Sequence, residues 1–411
     1  SEETTLRILL QAHAGDYFVF SGKKIRVSPE YLYEISNAAC QTVPASIGSM
    51  LNEHEKPADL IYTDEDNCVG NKRFRPFFKP DASMQMLLNF PYLGRCFVIR
   101  RSLLEKLAQN ADWIRLCGND WYELSLQAFR FAEHIWHLPK PLFSNLVASE
   151  ERQSFVRSLK AENADCLRRY LKSEHIKGSV VLSDVPGFFH AKYAWDETPL
   201  VSIIIPNKDH TDDLKLCLDS LKKSDYKNYE VIIAENNSED EKTFAFYEAL
   251  TKEDPKIHVT VWEGPFNYSA INNFAVKSAK GDILLFLNND TECMESRTLG
   301  ELVSSVLKPG VGACGAMLYY GDSTIQHAGV IVGLGGYAGH SHKYAKRGGS
   351  GYMFRAATVQ DLSTVTAACL LVKAAVYDEA GGLDEDFAVA FNDVDFCLRV
   401  RALGYRVLFT P

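Results

Sequence analysis

Between residues 198 and 290, short apolar runs alternate with longer amphipathic stretches. VSIII (201–205) is continuous and β-branched, as a strand buried on both faces requires. A polar segment, NKDHTDD, leads into LKLCLDSLKK, whose apolar positions fall at helical spacing. VIIA (231–234) predicts a second strand, followed by the loop ENNSED and the helical TFAFYEAL. HVTVW (258–262) and ILLFL (283–287) predict two more, with a helical SAINNFAVKSA between them. Strands alternating with helices of this length imply βαβ units and a parallel sheet. Such sheets bind ligands at the carboxyl ends of their strands, and the loops there read NKD, ENNSED and NNDTE. Near the end of the chain, FNDVDFCLRVRALGYRVLFTP (391–411) predicts a helix with Asn392 as N-cap and Gly404 as its stop. Val394, Phe396, Leu398, Val400 and Leu403 supply its apolar contacts.

The first 150 residues align with the second half. GDYFVFSGKK (15–24) lies over GDILLFLNND (281–290), and RCFVIRRSLLEKL (95–107) over ACLLVKAAVYDEA (368–380). Asn119-Asp120 then matches Asn392-Asp393, with 24 positions from Cys96 to Asp120 and again from Cys369 to Asp393. This is a repeat of domain size. The reading is one partial module over residues 1–150, a connector and linker over 151–197, and a fuller module over 198–411. Residues 146–172 predict a charged amphipathic helix, and DVPGFFHAKYAWDETP marks the boundary.

Composition adds limits. The chain has 411 residues, a length that suits two domains, and 46% of them are hydrophobic, enough for a normal core. A formal charge of −9 argues against general affinity for nucleic acid or an anionic membrane, without excluding one basic phosphate pocket. Ten cysteines occur singly with no CxxC pair, and several lie in apolar runs, which suits a reducing, cytoplasmic setting better than a disulfide framework. No apolar run reaches membrane-spanning length. The chain starts at Ser1 and stops at Pro411, and reads as a piece of something longer.

Three loops carry candidate chemistry. LLFLNNDTE ends an apolar strand in Asn288, Asn289 and Asp290, where a carboxylate binds a hard divalent cation or merely closes a polar turn. Asp393, in the first turn of the last helix with Asp395 close behind, is placed as a general base on a hydroxyl, or simply complements the helix dipole. ENNSED brings acid and amide groups that hydrogen-bond a base or ribose. VIVGLGGYAG (330–339) imitates a dinucleotide-binding fingerprint, but HSHKYAKRGGSGY follows where a helix should, so it reads as a flexible loop beside the site. His327, His340 and His342 lack ordered metal-ligand spacing and read as surface or loop histidines.

Taken in order, VSIIIPNKD, ENNS, LLFLNND, TAACLLV and GGLDEDFAVAFNDVDFCLRVRALGYRV resemble bacterial family 2 glycosyltransferases, nearest to those of rhamnan, O-antigen and capsule assembly, which often carry tandem modules. IYTDEDN and RPFFKPDASMQMLLNFPYLGRCFVIRRSLL resemble the family in the first half. The resemblance implies an α/β, GT-A-type (Rossmann-like), mostly parallel sheet flanked by helices. It also implies inverting transfer of a hexosyl or deoxyhexosyl group from a nucleoside-diphosphate sugar, UDP or dTDP type favoured, to an oligosaccharide or lipid-linked glycan acceptor. Asp393 matches the catalytic base and Asp290 the surviving acid of a metal-binding DxD motif for Mg2+ or Mn2+, with Asn288 where the first Asp usually stands. Glu235 and Asn236 match the nucleoside-binding pair, with Pro206, Asn207, Asp209, Asn273, Asn288 and Asn289 also expected on the nucleotide. Asn392, Asp395 and Ala367 are expected on the acceptor side. A peripheral association with membrane-bound assembly machinery at the inner face of the plasma membrane goes with this role. In the first module Lys24 stands where Asp290 stands in the second, and no VSIIIP-like strand precedes residue 15, so that module is expected to lack metal-dependent transfer. Two rivals remain: a scaffold or glycan-binding protein of inactive modules, and a sugar nucleotidyltransferase, which should carry a basic glycine-rich loop where PNKDHTDD stands.

Overall fold

The computed structural model describes residues 6–40, 57–110, 121–149, 162–183, 188–196 and 198–411. Asn119, Asp120 and most of the first part of the connector lie outside these residues. The chain divides into two compact units, one running through Ala194 and the other from Trp195 to Pro411.

The first unit runs α1 (Leu6–Ala12), β1 (Tyr17–Ser21), β2 (Ile25–Val27), α2 (Tyr31–Cys40), β3 (Leu60–Val69), β4 (Lys72–Phe77), α3 (Met84–Asn89), β5 (Cys96–Arg100), α4 (Arg101–Asn110), α5 (Tyr122–Phe131), β6 (Ile135–Leu146), α6 (Glu162–Ser173), β7 (Gly178–Leu182) and β8 (Phe189–Tyr193). Its sheet has the order β1-β5-β3-β6-β2, with β4 paired to β3, and β7 and β8 form a separate hairpin. Helix α6 and this hairpin fall within the first compact unit.

The second unit runs β9 (Val201–Asn207), α7 (Thr211–Lys222), β10 (Tyr229–Glu235), α8 (Glu241–Glu253), β11 (Ile257–Val261), α9 (Tyr268–Val276), β12 (Ile283–Leu287), α10 (Thr298–Val306), β13 (Val311–Ala316), β14 (Leu318–Tyr319), β15 (Ile325–His327), β16 (Val330–Val332), β17 (Ala338–His340), β18 (Gln360–Leu362), β19 (Cys369–Lys373), α11 (Ala374–Glu379), α12 (Asn392–Ala402) and β20 (Arg406–Thr410). Eight strands form a sheet ordered β11-β10-β9-β12-β19-β13-β20-β18. β11, β10, β9 and β12 run parallel, as does β13 with β20, while β19 is antiparallel to β12 and β13, and β18 to β20. Every residue of β12 is buried, because helices cover both faces. Val201, Ile203 and Ile205 pack with α7, α8 and α10 side chains, and Ile204 packs into the opposite cluster with Ile271 and Phe396. Each such aliphatic side chain contributes about 1.5–3 kcal/mol by leaving water.

The repeat seen in the sequence has a counterpart in register. Tyr17 to Ser21 pair with Arg100 to Cys96 as Ile283 to Leu287 pair with Lys373 to Cys369. The amide of Gly22 donates to the Arg95 carbonyl at 2.8 Å, and that of Asn288 to the Ala368 carbonyl at 3.1 Å. The third strand follows: Leu60 faces Ile99 and Ala313 faces Val372. Helix α12 starts one residue earlier than expected. Phe391, at φ 63°, holds the N-cap position and Asn392 is the first helical residue, while Gly404 at φ 90° ends the helix as read from the sequence. VIVGLGGYAG is a hairpin of β16 and β17 rather than an unstructured loop. Among the described residues, no helix is long and apolar enough to cross a membrane.

Candidate functional site

The carboxyl ends of β9, β10 and β12 are tied together by side chains. Asn289 donates to the Asn207 side-chain oxygen at 2.7 Å, and Asn207 donates to the Tyr247 hydroxyl at 2.8 Å. Tyr247 in turn donates to Glu235 Oε2 at 2.7 Å, which also accepts the Ser238 hydroxyl at 2.6 Å. Glu235 Oε1 accepts the Ser238 amide at 2.5 Å. The chain of donors thus ends on a buried carboxylate, where charge-assisted bonds are strong. Burial, with the Glu235 carboxylate adding to it, pushes the Tyr247 hydroxyl above its ordinary pKa. Asn236 extends the tie: its amide donates to the Asn207 carbonyl at 2.9 Å. Asp209, at φ 59°, accepts the amides of Glu239 at 2.8 Å and Asp240 at 3.0 Å. The Asp240 amide first, then that of Glu239, holds the Asp209 carboxyl below the usual carboxylate range. Pro206 sits at the same strand end, pairing in register with Ala234. The acid and amides of this cluster therefore bond one another and set the shape of a polar floor.

Asp290 is different. It is exposed just past β12 and makes no hydrogen bond or ion pair among the described residues. A cavity of about 460 Å³ opens beside it, lined by Asn288, Asp290, Glu292, Tyr319, Arg347 and Ala368 among others. The Ala367–Ala368 segment links this strand end to Asp393. Ala368 accepts the Asn288 amide, and Ala367 donates its amide to Asp393 Oδ2 at 3.1 Å. Asp393 Oδ1 accepts the Val394 amide at 2.8 Å, at the positive end of α12. Two backbone donors therefore orient the half-exposed carboxylate.

The remaining expected residues do positional work. Asn273 spends its amide on the segment before α12, donating to the Leu383 carbonyl at 2.8 Å and Glu385 at 3.0 Å and accepting from Leu383 and Tyr377. It lies with the Asp393 loop, not in the Asn207–Glu235 network. Asp395 pairs with Arg399 at 2.7 Å, and Arg399 also donates to the carbonyls of Ala380 and Gly382, clamping α12 to that loop. Asn392 is buried and accepts the Asp393 amide at 2.8 Å.

Three contributors escaped the sequence reading. Tyr247 lies in TFAFYEAL, where an aromatic reads as core, and only its hydroxyl reaches the network. Tyr268 donates to the Ala367 carbonyl at 3.1 Å; burial, with the Asp393 charge adding to it, raises its hydroxyl pKa. His327 is fully buried on β15, not a surface or loop histidine. Its Nδ1 donates to the Ala316 carbonyl at 2.9 Å and its Nε2 accepts the Thr366 amide at 3.2 Å, one residue from Ala367. Burial pushes its pKa down to about 3, so the ring is neutral. His340 bonds the Gln326 carbonyl and His342 accepts the Tyr352 amide.

The first unit offers other chemistry at its matching strand ends. Lys24, exposed and at φ 61°, takes the place of Asp290. At the carboxyl half of β3, Asp64, Glu65 and Asp66 are buried in bonds with cations. Glu65 pairs with the buried Lys79 at 2.9 Å, Asp66 with Arg73 at 2.6 Å, and Asp64 with His137 at 2.9 Å. Burial opposes charge on His137, and the Asp64 and Asp81 carboxylates outweigh it, raising the pKa of the ring.

A sheet whose parallel strands end in a polar floor, with an exposed carboxylate past one strand and a second carboxylate at a neighbouring helix start, has the form of a GT-A-type α/β unit. Residues 202–349 match the family model described as Glycosyl transferase family 2, so the second unit contains a family 2 glycosyltransferase domain. The chain is 34% identical over 419 residues to the O-antigen biosynthesis protein RfbC of Myxococcus xanthus, covering 100% of this chain and 32% of that protein. It is 37% identical over 365 residues to the uncharacterized protein y4gI of Sinorhizobium fredii, covering 86% of this chain and 40% of that one. The chain thus spans well under half the length of these relatives. Among solved structures it is similar to the mannosyltransferase PcManGT of Pyrobaculum calidifontis in complex with GDP-Man and Mn2+, with a TM-score of 0.40 and 16% identity over 62% of this chain and 65% of that one. It is also similar to GalNAc-T7 with UDP, GalNAc and Mn2+, with a TM-score of 0.46 and 12% identity over 62% of this chain and 52% of that one.

Proposed function

We propose that the second unit transfers a hexosyl or deoxyhexosyl group, with inversion, from a nucleoside-diphosphate sugar to a glycan hydroxyl in cell-surface polysaccharide synthesis. The observation that carries this reading is the Ala367–Ala368 segment, which bonds the strand end before Asp290 on one side and the Asp393 carboxylate on the other. It couples a donor-side acid to an acceptor-side acid through adjacent peptides. The floor of Asn207, Glu235, Asn236 and Asn289 supports the nucleotide side, with Glu235 shaping the loops from beneath.

Asp393 is the base in this reading. The Ala367 and Val394 amides leave it lone pairs to take the proton from an acceptor hydroxyl, whose oxygen attacks C1 as the bond to the nucleoside diphosphate breaks. The residues present fit a divalent cation, Mg2+ or Mn2+, held by Asp290 with Asn288 beside it. No group of three or more His, Cys, Asp or Glu side chains among the described residues is arranged to hold an ion, so donor phosphates and water would complete the shell. Bound there, the cation would neutralise charge on the departing diphosphate. The first unit is non-catalytic toward a metal-bound donor in this reading, supported by Lys24 at the Asp290 position. A cytoplasmic location, a UDP- or dTDP-type donor and an acceptor carried on a lipid or oligosaccharide belong to the same proposal.

The test is calorimetric titration of UDP, dTDP, GDP and CMP, with and without Mn2+, into wild type and Asp290→Ala. Metal-dependent binding of one nucleotide, weakened at least about tenfold in the variant, is expected. Folded protein that binds none of them would sink the reading.

A further inference from the structure

We propose that Tyr337 and Phe391 form a stacking platform for the acceptor, and that this acceptor is a neutral, hydroxyl-rich glycan chain; the inference rests on the transferase reading of Asp393. The platform begins with an exposed apolar tip. In the hairpin of β16 and β17, Ile331, Val332, Leu334 and Tyr337 are 38%, 45%, 47% and 81% exposed, and residues 331–337 include no charged side chain. A solvated turn ordinarily carries polar residues, and clustered apolar exposure marks a surface that meets something. Gly333, Gly335 and Gly336 have φ of 91°, 70° and 98°, and a Cβ on any of them would meet nothing within 4 Å. These glycines shape the turn without being squeezed by neighbours, so the tip stands clear.

The hairpin is anchored at the site. The Val330 amide donates to the Thr364 carbonyl at 3.1 Å, and the Thr364 hydroxyl to the Asp393 carbonyl at 3.4 Å. Tyr337 then lies 6.5 Å from Phe391, with ring planes 56° apart. Phe391 is 45% exposed and adopts φ 63°, ψ 2°, a left-handed conformation that a bulky residue holds only under tertiary constraint. That conformation starts α12 with the phenyl ring outside the core, two residues before Asp393.

Charge decides what sits there. Residues 381–395 carry Asp384, Glu385, Asp386, Asp393 and Asp395 and no lysine or arginine. Glu385 is bonded to Asn273 and Asp395 to Arg399, and Asp384 caps the Asp386 amide. An anionic lipid surface would be repelled by this segment. A sugar suits it, because C–H faces pack on aromatic rings while hydroxyls donate to carboxylates. The molecule stacked beside Asp393 must also be the one whose hydroxyl Asp393 deprotonates.

The test uses the 411-residue chain and gluco-, galacto-, manno- and rhamno-configured trisaccharides, read by saturation-transfer NMR and calorimetry. One or more should bind. Tyr337→Ala and Phe391→Gly should each weaken that binding at least about tenfold, and Tyr337→Phe should retain it. Phe391→Gly should melt no lower than wild type, because glycine adopts the same backbone without strain, and nucleotide affinity should not change in any variant. The proposal is overturned by a wild type that binds no trisaccharide, by binding indifferent to Tyr337→Ala, or by Tyr337-dependent sedimentation with phosphatidylglycerol–phosphatidylcholine vesicles. With nucleotide binding intact, those results remove only the platform; loss of nucleotide binding from the wild type removes the transferase reading as well.

Discussion

Replacing Tyr247 by Phe deletes one oxygen and leaves the ring in place, so its effect isolates the polar floor. The hydroxyl makes two bonds, one donated to the buried Glu235 carboxylate at 2.7 Å and one accepted from Asn207 at 2.8 Å. A neutral hydrogen bond contributes about 0.5–1.5 kcal/mol net and one to a charged group about 1.5–3. The loss should therefore be about 2–4 kcal/mol, and water cannot easily make it good because Tyr247 is only 5% exposed. For a unit of this size that lowers Tm by roughly 5–12 °C in a calorimetric scan. Asn207 carries Asn289 from its other end, so the loop past β12 should loosen too. Affinity for the nucleotide found by titration should fall about tenfold. A normal Tm would refute the energetic assignment. A lowered Tm with unchanged affinity, measured well below the transition, would refute the claim that this network shapes the nucleotide floor.

Asp393→Asn should reduce transfer by about 10²–10⁴-fold with nucleotide affinity preserved, as measured by donor turnover against calorimetric Kd. The amide also turns an N–H toward either Ala367 or Val394, so a small loss of stability should accompany it. His327 gives a pH signature. Its pKa falls from 6.5 to about 3 on folding, so the unfolded chain binds the extra proton and stability is lost as pH drops from about 6.5 toward 3. His327→Leu should be less stable near neutrality yet flatten that acid limb in Tm against pH, and an unaltered slope would assign it elsewhere. In the first unit, Lys79→Met strands the buried Glu65 carboxylate, which among the described residues keeps the Asn145 donor, and should destabilise by about 3–5 kcal/mol. Adding Glu65→Leu should recover much of this, and a double variant no more stable than the single one would contradict the pairing.

Runs of apolar, β-branched residues were enough to find β9, β10 and β12, because a strand buried on both faces has no polar alternation to obscure it, and β11, an edge strand with only Ile257 buried, was found from its β-branched residues. The domain-sized repeat was equally legible: aligned residues share strand register, since a one-residue slip would turn every buried side chain outward. Asp290 could be picked out because it follows an apolar strand at its end, and Asp393 because it falls in the first turn of a helix.

What side chains do with their polar atoms was a different matter. Glu235 and Asn273 look alike as loop and helix polar residues, yet one anchors a buried relay and the other the loop before α12. Asp395 reads as a second acid beside Asp393 until Arg399, one turn on, claims it. Asn392 is a good N-cap by residue type, but the left-handed turn at Phe391 moves the cap back by one. His327 lies among polar and glycine-rich segments that suggest exposure, and only the return of the Thr366 amide to its Nε2 makes a buried neutral ring affordable. The sequence by itself determined the strands, their order of chemistry and the positions of the exposed acids, because hydrophobic burial is read along the chain. Tertiary structure decided which polar groups are free and which are bonded, because partners such as Asn289 and Asn207, Ala367 and Asp393, or Thr366 and His327 lie tens of residues apart and only packing brings them together.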